Sequence, residues 1–297
     1  MTTEHLPVVK IAISADGTRI GYQSFGNGPG IVLVQGAMGT AQNYRQLAVA
    51  LASRFTVHVP DRRGRGMSPR PYSATHLIQR DVEDLRCLLA DTGAQFLFGL
   101  SSGAMIVLEG LRCGLPVERA AVFEPPFYLD GMAHELVHQF NAQVDQGRLA
   151  AALVTAGRIV GLGPKRMRVL PQWLLRLGAG LALRGNARRT DNYTSIKELI
   201  PAMRYDFNVV ASMNTRLHDL GTVQQRVLLM GGDRSPDYLK NALLALKVVL
   251  PSAEVVEFTG ADHSAPWNED LSGKPQLVGS VLNAFFSTPQ TAATTTG

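Results

Sequence analysis

With 297 residues, 45% of them hydrophobic and 18% charged, the chain can bury a large core, which excludes a disordered polypeptide. Its two cysteines, Cys87 and Cys113, form no CxxC pair; this excludes a disulfide framework and a cysteine-based zinc or redox motif, and both are expected as small buried residues. The formal net charge of +5 is confined to residues 127–220, which hold 12 Lys/Arg and 7 Asp/Glu against 17 of each elsewhere, and no nucleic-acid-binding motif accompanies it.

The N-terminal "MTTEHLPVVKIAIS" lacks the basic-then-apolar order of a signal peptide, and no stretch reaches the roughly 18 apolar residues of a membrane span. A cytoplasmic protein with a small polar C-terminal tail is expected. "VVKIAIS" and "RIGYQSF" read as strands joined by a hairpin at Asp16-Gly17. Strand-like "GIVLVQG", "FTVHVPD", "QFLFGL" and "RAAVFEP" then alternate with helix-length segments, and the alternation resumes late with "RVLLMGG", helical "YLKNALLALKVVL", "AEVVEFTG" and a closing helix near "QLVGSVLNAFF". This order predicts a mostly parallel sheet with helices on both faces, opened by an antiparallel hairpin. Residues 127–220 carry only helical patterns, so the chain divides into a core of 1–126 and 221–297 and a helical cap inserted over it. Within that insertion, Lys165 to Arg189 holds seven basic residues and no acidic one, interleaved with leucines and Trp173; a cap helix with a solvated basic face is the expectation.

Ligand sites in parallel sheets gather at the carboxyl ends of the strands, and the chemistry-bearing residues fall there. Gly99-Leu100-Ser101-Ser102-Gly103 matches G-x-S-x-G, a strained strand-to-helix turn whose glycines allow close backbone approach. The glycine spacing selects Ser101 as nucleophile and not Ser102, which lacks glycines two residues away on either side. A serine hydroxyl needs a base, and of seven histidines His263 lies in the loop after the last strand, completing the order Ser, acid, His. His5 sits in the N-terminal arm, His58 inside a strand, His76 ahead of a surface helix, and His134, His138 and His218 in the insertion. Asp233, directly after "RVLLMGG", is the expected acid; Glu124, at the end of the preceding core strand in "VFEPPF", is the alternative. The oxyanion hole is expected from the backbone N–H groups of Ser102 and of Ala37 in "VQGAMG".

With these motifs in order, "VLVQGAMG", "VPDRRGRGMS", "GLSSGA", "LLMGGDRSP" and "GADHS", the sequence resembles the α/β-hydrolase family, esterase-like members with a helical cap in particular. It departs from the family in having Gln35 where histidine usually precedes the oxyanion glycine. Asp61 and the arginines of "DRRGRGMS" are expected to brace loops. Family members that open epoxides or carbon–halogen bonds carry aspartate at the elbow, so Ser101 implies acyl transfer to water, with no metal or organic cofactor. The expectation is a serine hydrolase cleaving a carboxylic ester, lactone or thioester of an apolar or amphiphilic small molecule, acting as a monomer or homodimer. A cofactor-free lyase or C–C bond hydrolase on the same triad, and a small-molecule binding protein without turnover, remain open.

Overall fold

The computed structural model of the chain describes residues 7–161, 171–186 and 193–288. His5, the stretch from Lys165 to Leu170, Arg188, Arg189 and the tail beyond Thr288 lie outside the described residues.

Eight strands form one sheet in the order β1-β2-β4-β3-β5-β6-β7-β8. β1 (Val8–Ile13) and β2 (Arg19–Phe25) make the antiparallel hairpin, turned at Gly17 with its φ of 77°. β2 also runs antiparallel to β4 (Thr56–Pro60). From β4 onward β3 (Gly30–Val34), β5 (Phe96–Leu100), β6 (Arg119–Phe123), β7 (Arg226–Gly232) and β8 (Glu254–Phe258) are parallel. All eight strands were legible as apolar runs. The central three are buried along their whole length, as strands covered on both faces must be.

The period of two divides each strand between two cores. Val32, Val34, Leu97, Ala120 and Val122 face one side, under α2 (Ile78–Thr92), α3 (Ser102–Arg112) and α8 (Asp237–Val249). Ile31, Leu33, Phe96, Phe98, Ala121 and Phe123 face the other, under α1 (Arg45–Leu51) and α9 (Pro275–Ser287). The buried Arg119 guanidinium donates to the carbonyls of Phe285 and Phe286 at 2.9 and 3.2 Å, satisfying orphan carbonyls at the end of α9. The cysteines differ from expectation: Cys87 is only half-buried and Cys113 is exposed, because it falls at the solvent end of α3, past its last core-facing turn.

Between β6 and β7 the described residues form helices and no strand: α4 (His134–Asp145), α5 (Leu149–Ile159), α6 (Gln172–Asn186) and α7 (Ile196–Met213). α6 continues through Gly178 and Gly180 and leaves Trp173, Leu177 and Leu181 exposed. α5 is anchored by two stacked tyrosines: Tyr128 donates to the Ile159 carbonyl at 3.2 Å and Tyr238 to that of Val160 at 3.1 Å. α7 packs onto the core through buried Tyr205 and Asp206. No helix among the described residues is long and apolar enough to cross a membrane.

One core histidine makes stability depend on pH. His58 in β4 is buried, with Nδ1 2.9 Å from Ser24 Oγ; burial first, with Lys10 adding to it and Asp91 opposing, pushes its imidazole down to about 4. The unfolded imidazole titrates near 6.5, so between pH ~6.5 and ~4 the unfolded chain binds a proton that the folded one refuses. Stability from this site is present above that window and lost as pH falls through it. Urea unfolding at pH 7 and pH 4 should show the wild type losing roughly 1–3 kcal/mol more than His58→Gln; equal losses would mean that His58 is not held neutral.

Candidate active site

The carboxyl ends of β5, β6 and β7 and the loop after β8 converge on one place. β5 delivers Ser101, whose N–H continues the ladder to the Phe123 carbonyl at 2.9 Å before the chain turns into α3. Its backbone, at φ 56° and ψ −125°, lies where non-glycine residues are rarely found. The surroundings hold it there through glycines. A Cβ on Gly99 would lie 2.7 Å from the Gly103 carbonyl oxygen, one on Gly103 2.4 Å from that of Gln35, and one on Gly36 2.8 Å from Ser101 Cβ. The G-x-S-x-G spacing is thus a packing requirement at two backbone contacts, and Gly36 adds a third from the loop after β3.

β6 delivers Glu124 immediately after the residue that hydrogen-bonds Ser101. Its φ of 47° turns the side chain into the sheet edge, where the carboxylate is fully buried. Oε2 lies 2.6 Å from His263 Nδ1, and Oε1 accepts the Gly232 N–H at 2.7 Å. A carboxylate only accepts, so Nδ1–H is the donor across this contact, and in the neutral ring that tautomer has its lone pair on Nε2.

The acid facing His263 is therefore Glu124, whereas the sequence pointed to Asp233. Asp233 does end a strand beside the site, yet its Oδ1 accepts the Gly260 N–H at 2.8 Å and so closes the turn after β8. Its own N–H bonds the Phe258 carbonyl at 3.1 Å, and the Gly232 N–H before it is already taken by Glu124. Asp262 turns away onto Ser264, accepting from its N–H at 2.9 Å and its hydroxyl at 2.6 Å.

Ala37 and Ser102 flank Ser101. Ser102 is the first residue of α3, so its N–H has no intrahelical acceptor. Gln35 is buried and donates its side-chain amide to the Pro60 carbonyl, which ties the loop after β3 to the end of β4. Asp61 braces the same region, taking the Ala41 N–H at 2.6 Å and the Met67 N–H at 2.7 Å, although burial pushes its pKa up against those hydrogen bonds. Ser102 Oγ, by contrast, enters a buried cluster of charges with Arg62 and Asp206, which motif spacing did not reveal. His76, ahead of α2, belongs to that cluster too, buried and 2.7 Å from Asp81. Among the described residues no group of three or more His, Cys, Asp or Glu side chains is arranged to hold a metal ion.

The model of the Alpha/beta hydrolase family matches residues 31–272. Among named relatives, "Uncharacterized hydrolase YraK" of Bacillus subtilis (strain 168) is 35% identical over 100 residues, 33% of this chain and 37% of that protein. N-formylmaleamate deformylase of Pseudomonas putida is 26% identical over 267 residues, 88% of this chain and 91% of that one. Among solved structures, an alpha/beta hydrolase from Sphaerobacter thermophilus DSM 20745 has a TM-score of 0.74 at 29% identity, covering 94% of this chain and 100% of that one.

The backbone crossings at the elbow predict a large cost for one methyl group. In Gly103→Ala the new Cβ meets the carbonyl oxygens of Gln35 and Val34 at 2.4 and 2.5 Å, and neither belongs to a side chain that can step aside. Thermal or urea unfolding should show a loss of roughly 1–3 kcal/mol or more; wild-type stability would mean that α3 and the loop after β3 are not in this contact.

Proposed function

Since this chain belongs to the alpha/beta hydrolase family, we propose that it is a serine hydrolase that transfers an acyl group from a carboxylic ester, lactone or thioester to water. The observation that carries this reading is the 2.6 Å contact of His263 Nδ1 with Glu124 beside a serine held in a strained elbow. In the proposed reaction Ser101 Oγ attacks the substrate carbonyl carbon as its proton passes to His263 Nε2. Glu124 holds the tautomer that leaves Nε2 free and stabilises the imidazolium once it forms. The negative oxygen of the tetrahedral intermediate accepts the backbone N–H groups of Ala37 and Ser102. His263 then protonates the leaving group, and the carbon–heteroatom bond breaks to give an acyl-enzyme on Ser101. Water, deprotonated by the same imidazole, attacks that acyl carbon and releases the acid and Ser101.

Apolar surroundings favour an apolar or amphiphilic substrate. Ala37, Met38 and Tyr128 are half-buried against the core. The helices between β6 and β7 serve in this reading as a cap, and a hollow of about 1000 Å³ among α4, α5 and α6 is lined mainly by leucine, valine, alanine and glycine, with none of Ser101, Glu124 or His263 on its wall. The likeness to N-formylmaleamate deformylase favours N-acyl amides as a second substrate class for the same acyl-transfer chemistry.

A fluorophosphonate probe should label Ser101, and Ser101→Ala should abolish both labelling and turnover of p-nitrophenyl acyl esters, while Ser102→Ala, which keeps the N–H and loses only the hydroxyl, should lose no more than roughly tenfold. Glu124→Gln should lower kcat by roughly 10²–10⁴-fold and Asp233→Asn far less, since only the first disturbs the imidazole tautomer. Labelling at Ser102, or a larger loss in Asp233→Asn, contradicts the assignment. A panel that turns over N-formyl amides and no ester would move the reading to the second class.

A further inference from the structure

Two arginines in the loop after β4 are almost wholly removed from solvent: Arg62 is 6% and Arg65 3% exposed. Buried cations need matched anions. Asp206, itself 2% exposed, supplies one carboxylate from α7. Its Oδ1 accepts Arg62 Nη1 at 2.7 Å and its Oδ2 accepts Arg65 Nη2. Asp81 on α2 takes Arg62 Nη2 at 3.3 Å. Burial works against the Asp206 charge, yet Arg65 and Arg62 hold its carboxyl below the usual carboxylate range. Arg63, between the two, faces elsewhere and forks onto Asp84.

The Nη1 group of each arginine also reaches the loop after β3. Arg65 Nη1 donates to the Gly36 carbonyl at 2.7 Å and to that of Gly39 at 3.2 Å, and Arg62 Nη1 to that of Gln35 at 3.2 Å. The Gly36–Ala37 peptide is planar and trans, so its C=O and N–H point in opposite directions. With the carbonyl fixed on Arg65, the Ala37 N–H is aimed away from the buried arginines. Ser102 is tied to the same carboxylate: its hydroxyl donates to Asp206 Oδ1 at 2.6 Å and accepts from Arg62 at 3.1 Å. That fixes the first residue of α3, and with it the direction of the Ser102 N–H.

We propose that Asp206 is the positioning residue of the oxyanion hole: brought in by α7, it sets through Arg65 and through Ser102 the two backbone N–H groups that receive the negative oxygen. The hole is then complete only while α7 is seated, which couples the inserted helices to the chemical step. This rests on the serine-hydrolase reading above.

The test compares wild type, Asp206→Asn, Arg65→Lys and, as a control on the same helix, Arg204→Met, which removes the 2.5 Å ion pair to Asp145, the 2.7 Å hydrogen bond to the Asn141 carbonyl and the contact with the Tyr72 ring but leaves Asp206 and both of its arginine partners in place. Arg65→Lys keeps the buried charge but loses the planar fork that spans two carbonyls and a carboxylate, so it remains informative if Asp206→Asn fails to fold. For a p-nitrophenyl ester, kcat should fall roughly 10²-fold in both variants with KM within a few-fold, because the donors act on the transition state. Inhibition by phenylboronic acid, whose tetrahedral adduct on Ser101 places an oxygen in the hole, should weaken in parallel. Arg204→Met should match wild type. Wild-type kcat in the folded variants, or a loss confined to KM with boronate affinity unchanged, overturns the proposal and leaves the hydrolase reading standing. A wild-type protein inert to both ester and boronate overturns that reading, and the proposal with it.

Discussion

The site is organised around a carboxylate that has no access to water. Glu124 is fully buried at the end of β6, and an unpaired anion there would cost several kcal/mol. Its two oxygens are matched by the Gly232 N–H and His263 Nδ1. One side chain therefore ties together the ends of β6 and β7 and the loop after β8. Gly231 has to be small for this to happen, since a Cβ there would lie 3.2 Å from Glu124 Oε1 and 2.5 Å from Leu243. The histidine cannot swing freely while the carboxylate needs it, so orientation of the imidazole follows from the energetics of a buried charge.

A second buried carboxylate does comparable work on the other side of Ser101. Asp206 matches Arg62 and Arg65, and those arginines hold the carbonyls of the loop after β3. The two anions differ in origin. Glu124 belongs to the sheet, while Asp206 arrives with α7, 104 residues beyond Ser102. Packing at the same spot is just as close: Gly64 has φ 81°, and a Cβ on it would lie 2.5 Å from Tyr205 Cε2, so α7 presses on the loop that carries both arginines. The strained backbone of Ser101 sits between these two sets of contacts, and that over-determination is what allows such a conformation to persist.

Much of this was legible in the sequence, for identifiable reasons. Strands such as "GIVLVQG" and "QFLFGL" are apolar throughout because both of their faces are covered, and alternation with helices gave the parallel order. The strained turn at Ser101 was legible because glycine spacing encodes backbone approach directly. Which carboxylate meets His263 was not, because chain order cannot tell which of two strand-end carboxylates turns inward. A signal for Glu124 did exist: it is the one charged residue in "AAVFEPPFYL", an apolar run followed by two prolines, whereas Asp233 follows two glycines that leave room for a turn. Arg62 and Arg65 were expected to brace loops, but the carboxylate that pairs with them was not legible, since Asp206 is more than 140 positions away. The burial of His76 was not legible for the same reason: the tertiary partners that bury it do not appear in its neighbourhood.

The pairing of Glu124 with His263 is the claim on which the rest stands, and it can be observed without any substrate. With 15N-labelled histidine, the Nδ1 proton of His263 should appear as a strongly downfield resonance, shielded from exchange by the buried carboxylate. The account predicts that this resonance survives in Asp233→Asn and disappears in Glu124→Gln. Its loss in Asp233→Asn, with persistence in Glu124→Gln, would contradict the account and return the acid to the end of β7.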